Sequence, residues 1–426
     1  MRGSTNSWVK VLGAVAVACV ALVARASPGD GIRLGGADSR LHPFFDFETR
    51  YDSNVTYSGD KPVADMVLHF RPGLELKAPG EAASFEFSGA LDWAQYLGVN
   101  NDKGATPPVD TKDLSRLYAY AKLAAAFNRG GSVAPRVDND FTRSISTASL
   151  AAVSSPVVSN LNKLSLSVPW HPGGGALVLV AKGDWTVESF EKYKDEPPFK
   201  LQNLAYDQYR AGGEAQWRFL PRTSGVFEAS YYTRNAKEPN QPQNVSGVDV
   251  RAGLVGLLTE RIATTAKLGY GTSHAPAFMV GTATGTVSSD AQSFGSLLAD
   301  LAVEWLPLDS MSLRAGYARS LGIDPVLSTM VQDTVSGAVQ VKFAEKYAFR
   351  LGAHWDQFAF KIKVVDGATT SFFVVDPTID AKFGRWITGA LGYAYSTRTA
   401  QWPASTGITQ PSYSKNEIFL RAGVTY

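Results

Sequence analysis

The residues QYRAGGEAQWRF, from Gln208 to Phe219, alternate between two kinds of side chain. One row is apolar or small, and it consists of Tyr209, Ala211, Gly213, Ala215, Trp217 and Phe219. The other row is mostly polar, and it consists of Gln208, Arg210, Gly212, Glu214, Gln216 and Arg218. Because successive side chains of a β-strand point to opposite faces, this pattern predicts a strand with one apolar and one polar face.

The same alternation recurs along most of the chain, for example in residues 65–77, 262–270, 347–356 and 417–426. Many such stretches run for about ten to fourteen residues, whereas strands of soluble proteins average about five or six. Short and long connections alternate between them. The long ones are predicted near residues 98–113, 191–204, 235–244, 272–291, 320–331 and 397–414. Short turns on one side and long loops on the other are typical of bacterial outer-membrane barrels.

The pattern therefore predicts an all-β fold, a transmembrane antiparallel up-and-down β-barrel of about eighteen strands. Residues 114–127 also fit a helix, which would reduce the count to about sixteen strands. Aromatic residues beside the short turns are expected to form a girdle at the membrane interface. They are Trp170, Phe219, Trp305, Phe343, Tyr347, Phe383 and Trp386.

The first residues have the three-part pattern of a signal peptide. Arg2 and Lys10 are basic, residues 11–24 form an uncharged apolar run, and small residues lead to a cleavage site after Ala26. A lipid-attachment role for Cys19, which lies inside the apolar run, is the alternative. The predicted organisation is a signal peptide at 1–26, a short periplasmic segment at 27–43 and a single outer-membrane barrel domain at 44–426.

Composition narrows the class of protein. The chain has 41 basic and 39 acidic residues, and removal of the signal peptide takes away three bases and no acid, so the mature chain is nearly neutral. Nucleic-acid binding, which requires a clear basic excess, is not expected. Charged residues make up only 19 % of the chain, below the quarter or so of an ordinary soluble domain.

The segment Pro43 to Val55, with the sequence PFFDFETRYDSNV, resembles the opening strand of the β-barrel porin-2 type family. Residues 65–76 and 85–96 then resemble that family's next two strands. The resemblance implies an outer-membrane barrel, and some members of the family are associated with exopolysaccharide secretion. The final Tyr426 also resembles the aromatic C-terminal residue read by the barrel-assembly machinery, although Arg421 stands where that signal often has glycine.

The polar row of the predicted strands supplies eighteen candidate channel-lining residues. They are Glu48, Arg50, His69, Arg71, Glu75, Arg210, Glu214, Arg218, Arg234, Asp249, Arg251, Lys267, Arg314, Lys342, Arg350, His354, Lys382 and Arg421. Charges of both signs along a hydrated wall favour neutral or zwitterionic polar solutes. The alternative is that these charges pair with one another and only stabilise the wall.

No catalytic residue, cofactor-binding residue or metal ligand is predicted, and the chain is not expected to be an enzyme. Its five histidines lie in no recognisable catalytic motif, and there is no Gly-x-Ser-x-Gly sequence. No His and Cys spacing indicates zinc. The triplet Gly173-Gly174-Gly175 is not a phosphate loop, because no helix is predicted after it.

The sequence leaves three functions open. The favoured one is a conduit for export of an exopolysaccharide, in which the tyrosines at 96, 118, 120 and 232 would stack on sugars. The second is a general diffusion porin for small polar solutes, with loop 98–113 or 272–291 folded into the lumen. The third is a structural barrel that transports nothing. Expected partners are outer-membrane lipid, the barrel-assembly machinery and, for the first function, a periplasmic polysaccharide-export protein.

Overall fold

The structure is a computed structural model, and it describes residues 31–34, 38–99, 110–146, 157–193, 201–238, 241, 243–282, 285–324, 328–361, 367–402 and 412–426. The predicted signal peptide, with Cys19, lies outside these residues. Within them, no helix has both the length and the apolar character needed to cross a membrane.

Eighteen long antiparallel strands dominate the described residues. They are β2 Arg40–Asp52, β3 Asp65–Ala78, β4 Ala83–Tyr96, β5 Arg116–Phe127, β6 Arg136–Ser146, β7 Val157–Trp170, β8 Leu177–Lys192, β9 Tyr206–Leu220, β10 Thr223–Ala236, β11 Val245–Thr259, β12 Ile262–Ala275, β15 Gln292–Leu308, β16 Met311–Asp324, β17 Ser328–Phe343, β18 Tyr347–Phe360, β19 Thr369–Lys382, β20 Ile387–Gln401 and β21 Tyr413–Thr425. Three short strands, β1 Ile32–Arg33, β13 Phe278–Thr282 and β14 Gly285–Ser289, complete the set.

The sheet closes on itself. Each long strand pairs with the next one along the chain, and β21 returns to pair with β2 from Phe44↔Thr425 to Asp52↔Glu417. Closure leaves no long strand as a free edge, so backbone donors and acceptors are satisfied within the wall. The predicted eighteen-strand barrel is confirmed. The helical alternative for residues 114–127 is wrong, because Arg116–Phe127 pairs with both neighbouring strands.

The strand register divides the wall into two rows of side chains, and residues paired across strands share a row. The inner row includes Glu48, Glu214 and Arg251, and the outer row includes Trp217 and Leu268. Arg234, which shares a row with Arg210 and Glu228, donates to the carbonyl of Ile323 at 3.1 Å across three intervening strands. Such a contact is possible only through the lumen, and it identifies the inner side. Exposure agrees, since Trp217 is 67 % exposed and Glu48 only 1 %.

Aromatic side chains of the outer row lie at two levels. All seven residues of the predicted girdle beside the short turns are exposed. A second set lies toward the long loops, and it includes Tyr51, Trp93, Trp185, Tyr209, Tyr231 and Tyr270. Two aromatic girdles flanking an apolar belt are the surface that a barrel presents to lipid. The protein is a multi-pass barrel of the bacterial outer membrane.

Two predicted boundaries differ from the structure. β2 begins at Arg40, inside the segment predicted to be periplasmic, because residues 40–43 pair with β3. The long loop predicted at 320–331 is wrong, since β16 and β17 continue their pairing to Asp324↔Ser328 and leave only three residues between them. The two strands extend this far because the end of their hairpin packs against other strands inside the barrel.

Candidate channel and its narrowed mouth

All eighteen sequence-predicted residues lie on the inner row by strand register. They fall into three groups. The first is on β2, β3 and β21, the second on β9 to β12, and the third on β16 to β19. Cross-strand ion pairs link many of them to acids or bases that the sequence did not single out.

The first group forms one chain of ion pairs across the seam where the barrel closes. Glu48, which is buried, accepts from the guanidiniums of Arg50 at 2.6 Å and Arg71 at 2.8 Å. Arg50 also donates to Glu417 on β21 at 2.9 Å. Arg71 continues the chain to Asp92, 2.8 Å away. Charge-assisted bonds of this geometry are stronger than neutral ones, so the network ties the last strand to the first.

The two ends of this seam network extend it to neighbouring strands. Asp92 contacts Nδ1 of His69 at 2.8 Å, and Glu417 lies 3.5 Å from the ammonium of Lys415. Lys415 in turn pairs with Asp52 at 2.7 Å, and both side chains are buried. Arg421 lies over the ring of Phe419, 5.9 Å from its centroid.

The opposite wall carries shorter networks. Glu228 accepts from both Arg251 and Lys267 at 3.1 Å, which joins β10, β11 and β12. Arg210 donates to Asp249 at 2.8 Å across the intervening strand. Glu214 pairs with Lys182 of β8, which is not among the eighteen predicted residues.

The third group lies nearer the short turns and is more open. Arg314 pairs with Glu304 at 2.9 Å, Arg350 with Asp380 at 2.7 Å, and His354 lies 3.8 Å from Asp356. The remaining predicted residues, Glu75, Arg218, Lys342 and Lys382, are on the inner row within a few residues of a short turn. Glu75 lies 3.8 Å from Lys77.

Exposure of the inner row changes along the barrel axis. Near the short turns, the side chains of Lys77 and Arg314 are 61 % and 64 % exposed. Near the long loops, that of Lys415 is 7 % exposed, and Asp52 and Asp65 are buried. The inner wall near the short turns is therefore open to water, whereas these inner-row side chains near the long loops are covered by other protein.

One cause is the end of the β16–β17 hairpin, residues 320–324 and 329–332, which we call the mouth hairpin. Pairing between β15 and β16 stops at Ala299↔Arg319, although β15 continues to pair with β12. Beyond that point the hairpin turns into the lumen. Ile323 packs against Tyr232, Val245 and Ala275, all on the inner row of β10 to β12.

Polar contacts fix the mouth hairpin in this position. Besides the bond from Arg234 to the Ile323 carbonyl, the hydroxyls of Thr329 and Ser273 are 2.7 Å apart. Asp324 is fully buried and interacts electrostatically with Arg234 of β10 and Arg398 of β20. The carboxylate at the tip thus lies between basic groups from two sides of the barrel.

A second element enters the lumen from the ends of β6, β7 and β8. Pairing of β5 with β6 stops at Ala119↔Arg143, and Val158 of β7 joins a buried cluster with Val67, Ala94 and Tyr96 from the inner row of β3 and β4. Val158 belongs to the outer row by register. It meets the inner row of other strands because this end of the sheet lies inside them.

Tyr193, just beyond β8, locks the second element. Its hydroxyl donates to the Val55 carbonyl at 2.9 Å and lies 3.2 Å from that of Tyr96. Tyr57, with a left-handed backbone (φ 53°), packs edge-on against the Tyr193 ring. Burial raises the pKa of the Tyr57 and Tyr193 phenols above the ordinary value, so both stay neutral.

Three of the four tyrosines that were expected to stack on sugars are covered by other protein. Tyr96 is buried against Tyr193, Tyr118 packs on the same cluster, and Tyr232 is covered by Ile323. Tyr120 alone of the four is exposed, and it lies on the inner row. The infolded elements that cover the others were not predicted, because their alternation is that of an ordinary strand.

The two loops predicted to fold inward are only partly described. Residues 100–109 lie outside the described residues, but Asp65 anchors both ends of that loop, since it accepts from the Val99 amide at 2.9 Å and the Thr111 hydroxyl at 2.6 Å. Loop 276–291 contains the β13–β14 hairpin. Within the described residues, no three His, Cys, Asp or Glu side chains group as a metal site would.

No family model matches the chain, and no curated protein matches it. The resemblance to the β-barrel porin-2 type family is therefore still a prediction. Solved structures give matches in overall fold. OpdK of Pseudomonas aeruginosa, solved with vanillate, is 10 % identical at a TM-score of 0.45, covering 91 % of this chain and 99 % of OpdK.

Two further structures are similar to a comparable degree. OccAB1 of Acinetobacter baumannii is 13 % identical at a TM-score of 0.46, covering 90 % of this chain and 96 % of its own. The FrpB iron transporter of Neisseria meningitidis is 8 % identical at a TM-score of 0.44, covering 94 % and 83 %.

Proposed function

We propose that this protein is an outer-membrane channel for small polar solutes, narrowed at its extracellular side by the mouth hairpin and the β6–β8 end. The observation that carries the proposal is the contrast along the inner row. Charged side chains near the short turns are largely exposed, whereas those near the long loops are buried under infolded protein. A barrel of this strand number encloses an aqueous space, and inward protein sets its size limit.

The charge pattern supports solutes without a strong net charge. Inner-row acids and bases pair across strands throughout the described wall, as in Glu228 with Arg251 and Lys267. Paired charges present local dipoles, so they favour polar molecules over one class of ion. The eighteen predicted residues are proposed to line this path.

Export of an exopolysaccharide, the function favoured by the sequence, has less support. A polymer conduit needs a continuous wide bore with accessible aromatic surfaces. Here Tyr96, Tyr118 and Tyr232 are covered by the infolded elements. A periplasmic polysaccharide-export partner is accordingly not part of the proposal.

The test is solute entry into proteoliposomes. Vesicles containing the purified protein are placed in isotonic solutions of a pentose, a hexose, a disaccharide and a tetrasaccharide, and swelling is followed by light scattering. We expect rapid swelling with the monosaccharides and a steep fall with the larger sugars. Equal rates for all four sugars would contradict a narrowed mouth, and no swelling with any of them would favour the structural barrel.

A further inference from the structure

The outer row of β5, β6 and β7 differs from the rest of the surface that faces lipid. Register places Asn139, Arg143, Asn160 and Asn162 on this row. Asn139 pairs with Leu164, six residues along β7 from the girdle residue Trp170, so it lies in the apolar belt between the two girdles. Arg319 of β16 lies on the outer row at a comparable distance from the girdle residue Trp305, but Asp333 neutralises its charge at 3.4 Å.

The amides of this patch are incompletely satisfied. Asn139 Nδ2 donates to Asn162 Oδ1 at 3.1 Å and to the Lys163 carbonyl at 3.3 Å. The Nδ2 donors of Asn162 and the Oδ1 acceptor of Asn139 have no partner among the described residues. In hydrocarbon, an unpaired amide costs several kcal/mol. Lipid is therefore a poor environment for this surface.

A second, independent feature marks the same strands. The upper aromatic girdle passes from Trp93 on β4 to Trp185 on β8, and in the described residues of β5 to β7 the outer row carries no Tyr or Trp above Trp170. Small side chains, Ala119, Ala121 and Ala125, occupy the adjoining outer row of β5. A wall that lacks interfacial anchors and carries small residues suits close contact with protein.

We infer that this patch, defined by Ala119, Ala121, Asn139 and Asn162, is a dimer interface between two copies of this chain. The occupant follows from the chemistry. Each Asn offers both donors and acceptors, so the patch is complementary to itself, as a two-fold interface requires. When the two-fold axis of the dimer lies beside Asn162, the free Nδ2 donors of Asn162 on one copy meet the free Oδ1 acceptor of Asn139 on the other.

Disulfide trapping in native outer membranes tests the inference. Asn162→Cys is introduced into a chain whose single native cysteine is removed by Cys19→Ala. The matched control is Leu268→Cys, on the outer row of β12 at a similar height and also exposed. We expect oxidation to give a covalent dimer from N162C and monomer from L268C.

The double variant Asn139→Leu/Asn162→Leu provides the converse. Leucine suits lipid, so the monomer folds, and its heat-dependent shift in electrophoretic mobility verifies that it does. We expect wild type to have the mass of a dimer in mild detergent and the double variant that of a monomer. Equal crosslinking at positions 162 and 268, or a wild-type monomer with no crosslink from N162C, would overturn the inference.

Discussion

Glu48→Gln should weaken the barrel at its closing seam. The carboxylate is 1 % exposed and accepts from two arginines, Arg50 and Arg71, at distances of 2.6 to 2.9 Å. Removing one partner from a buried ion pair costs about 3–5 kcal/mol. Because Arg50 keeps Glu417 and Arg71 keeps Asp92, and glutamine keeps one acceptor oxygen, we expect a smaller loss of unfolding free energy, about 2–3 kcal/mol.

The assay is urea unfolding from lipid vesicles, followed by tryptophan fluorescence, together with the temperature at which the folded electrophoretic band converts to the unfolded one. Asp140→Asn is the matched control, because its partner Lys122 is 3.5 Å away and both side chains are at least half exposed. We expect a change below about 0.5 kcal/mol for that pair. If E48Q and D140N lost the same stability, the seam network would not carry the closure.

Three further predictions follow from the same structure. Leu420 lies on the outer row beside β2, so Leu420→Arg places a charge in the apolar belt and should lower the free energy of unfolding from vesicles by about 2–4 kcal/mol. An unchanged urea midpoint would contradict the assignment of the outer row to lipid. Glu345→Gly should raise the free energy of unfolding by about 0.5–1 kcal/mol, because Glu345 has a left-handed backbone (φ 53°) that glycine adopts more easily. A lower free energy of unfolding in this variant would show that the Glu345 side chain contributes more than the backbone strain costs. Tyr193→Phe should lower the free energy of unfolding by about 1–3 kcal/mol, because it leaves the Val55 carbonyl unpaired. Protease cleavage near residue 193 should accelerate, and an unchanged cleavage rate would show that the hydroxyl does not hold this segment.

Much of the wall could be read from alternation alone. The alternating stretches 65–77 and 262–270 begin at the residues where β3 and β12 begin and lie within those strands. This works because burial of one face in lipid and hydration of the other impose a strict period of two on every strand. The segment 114–127 was ambiguous only because alanine and leucine suit both helix and strand, and pairing with two neighbours decides it.

The mouth could not be read in the same way. Leu321 and Ile323 follow the same alternation as the outer-row residues that face lipid. The local sequence does not show that Ile323 packs against the inner wall of β10 to β12 instead. The residue at which β16 separates from β15 is determined by tertiary packing and not by the local sequence. The acids that pair with predicted bases, such as Asp92 and Glu228, were visible as polar-row residues, but their partners depend on the register between strands.

The most direct test is the unitary conductance of the protein in planar lipid bilayers, compared with that of Ile323→Asp. Wild type should give discrete ion-conducting steps. The aspartate would bury a charge against Tyr232, Val245 and Ala275, so the mouth hairpin should leave the wall and the steps should become larger. The absence of steps from the wild-type protein would contradict the channel, and an unchanged step size in the folded I323D barrel would contradict the mouth hairpin as its constriction.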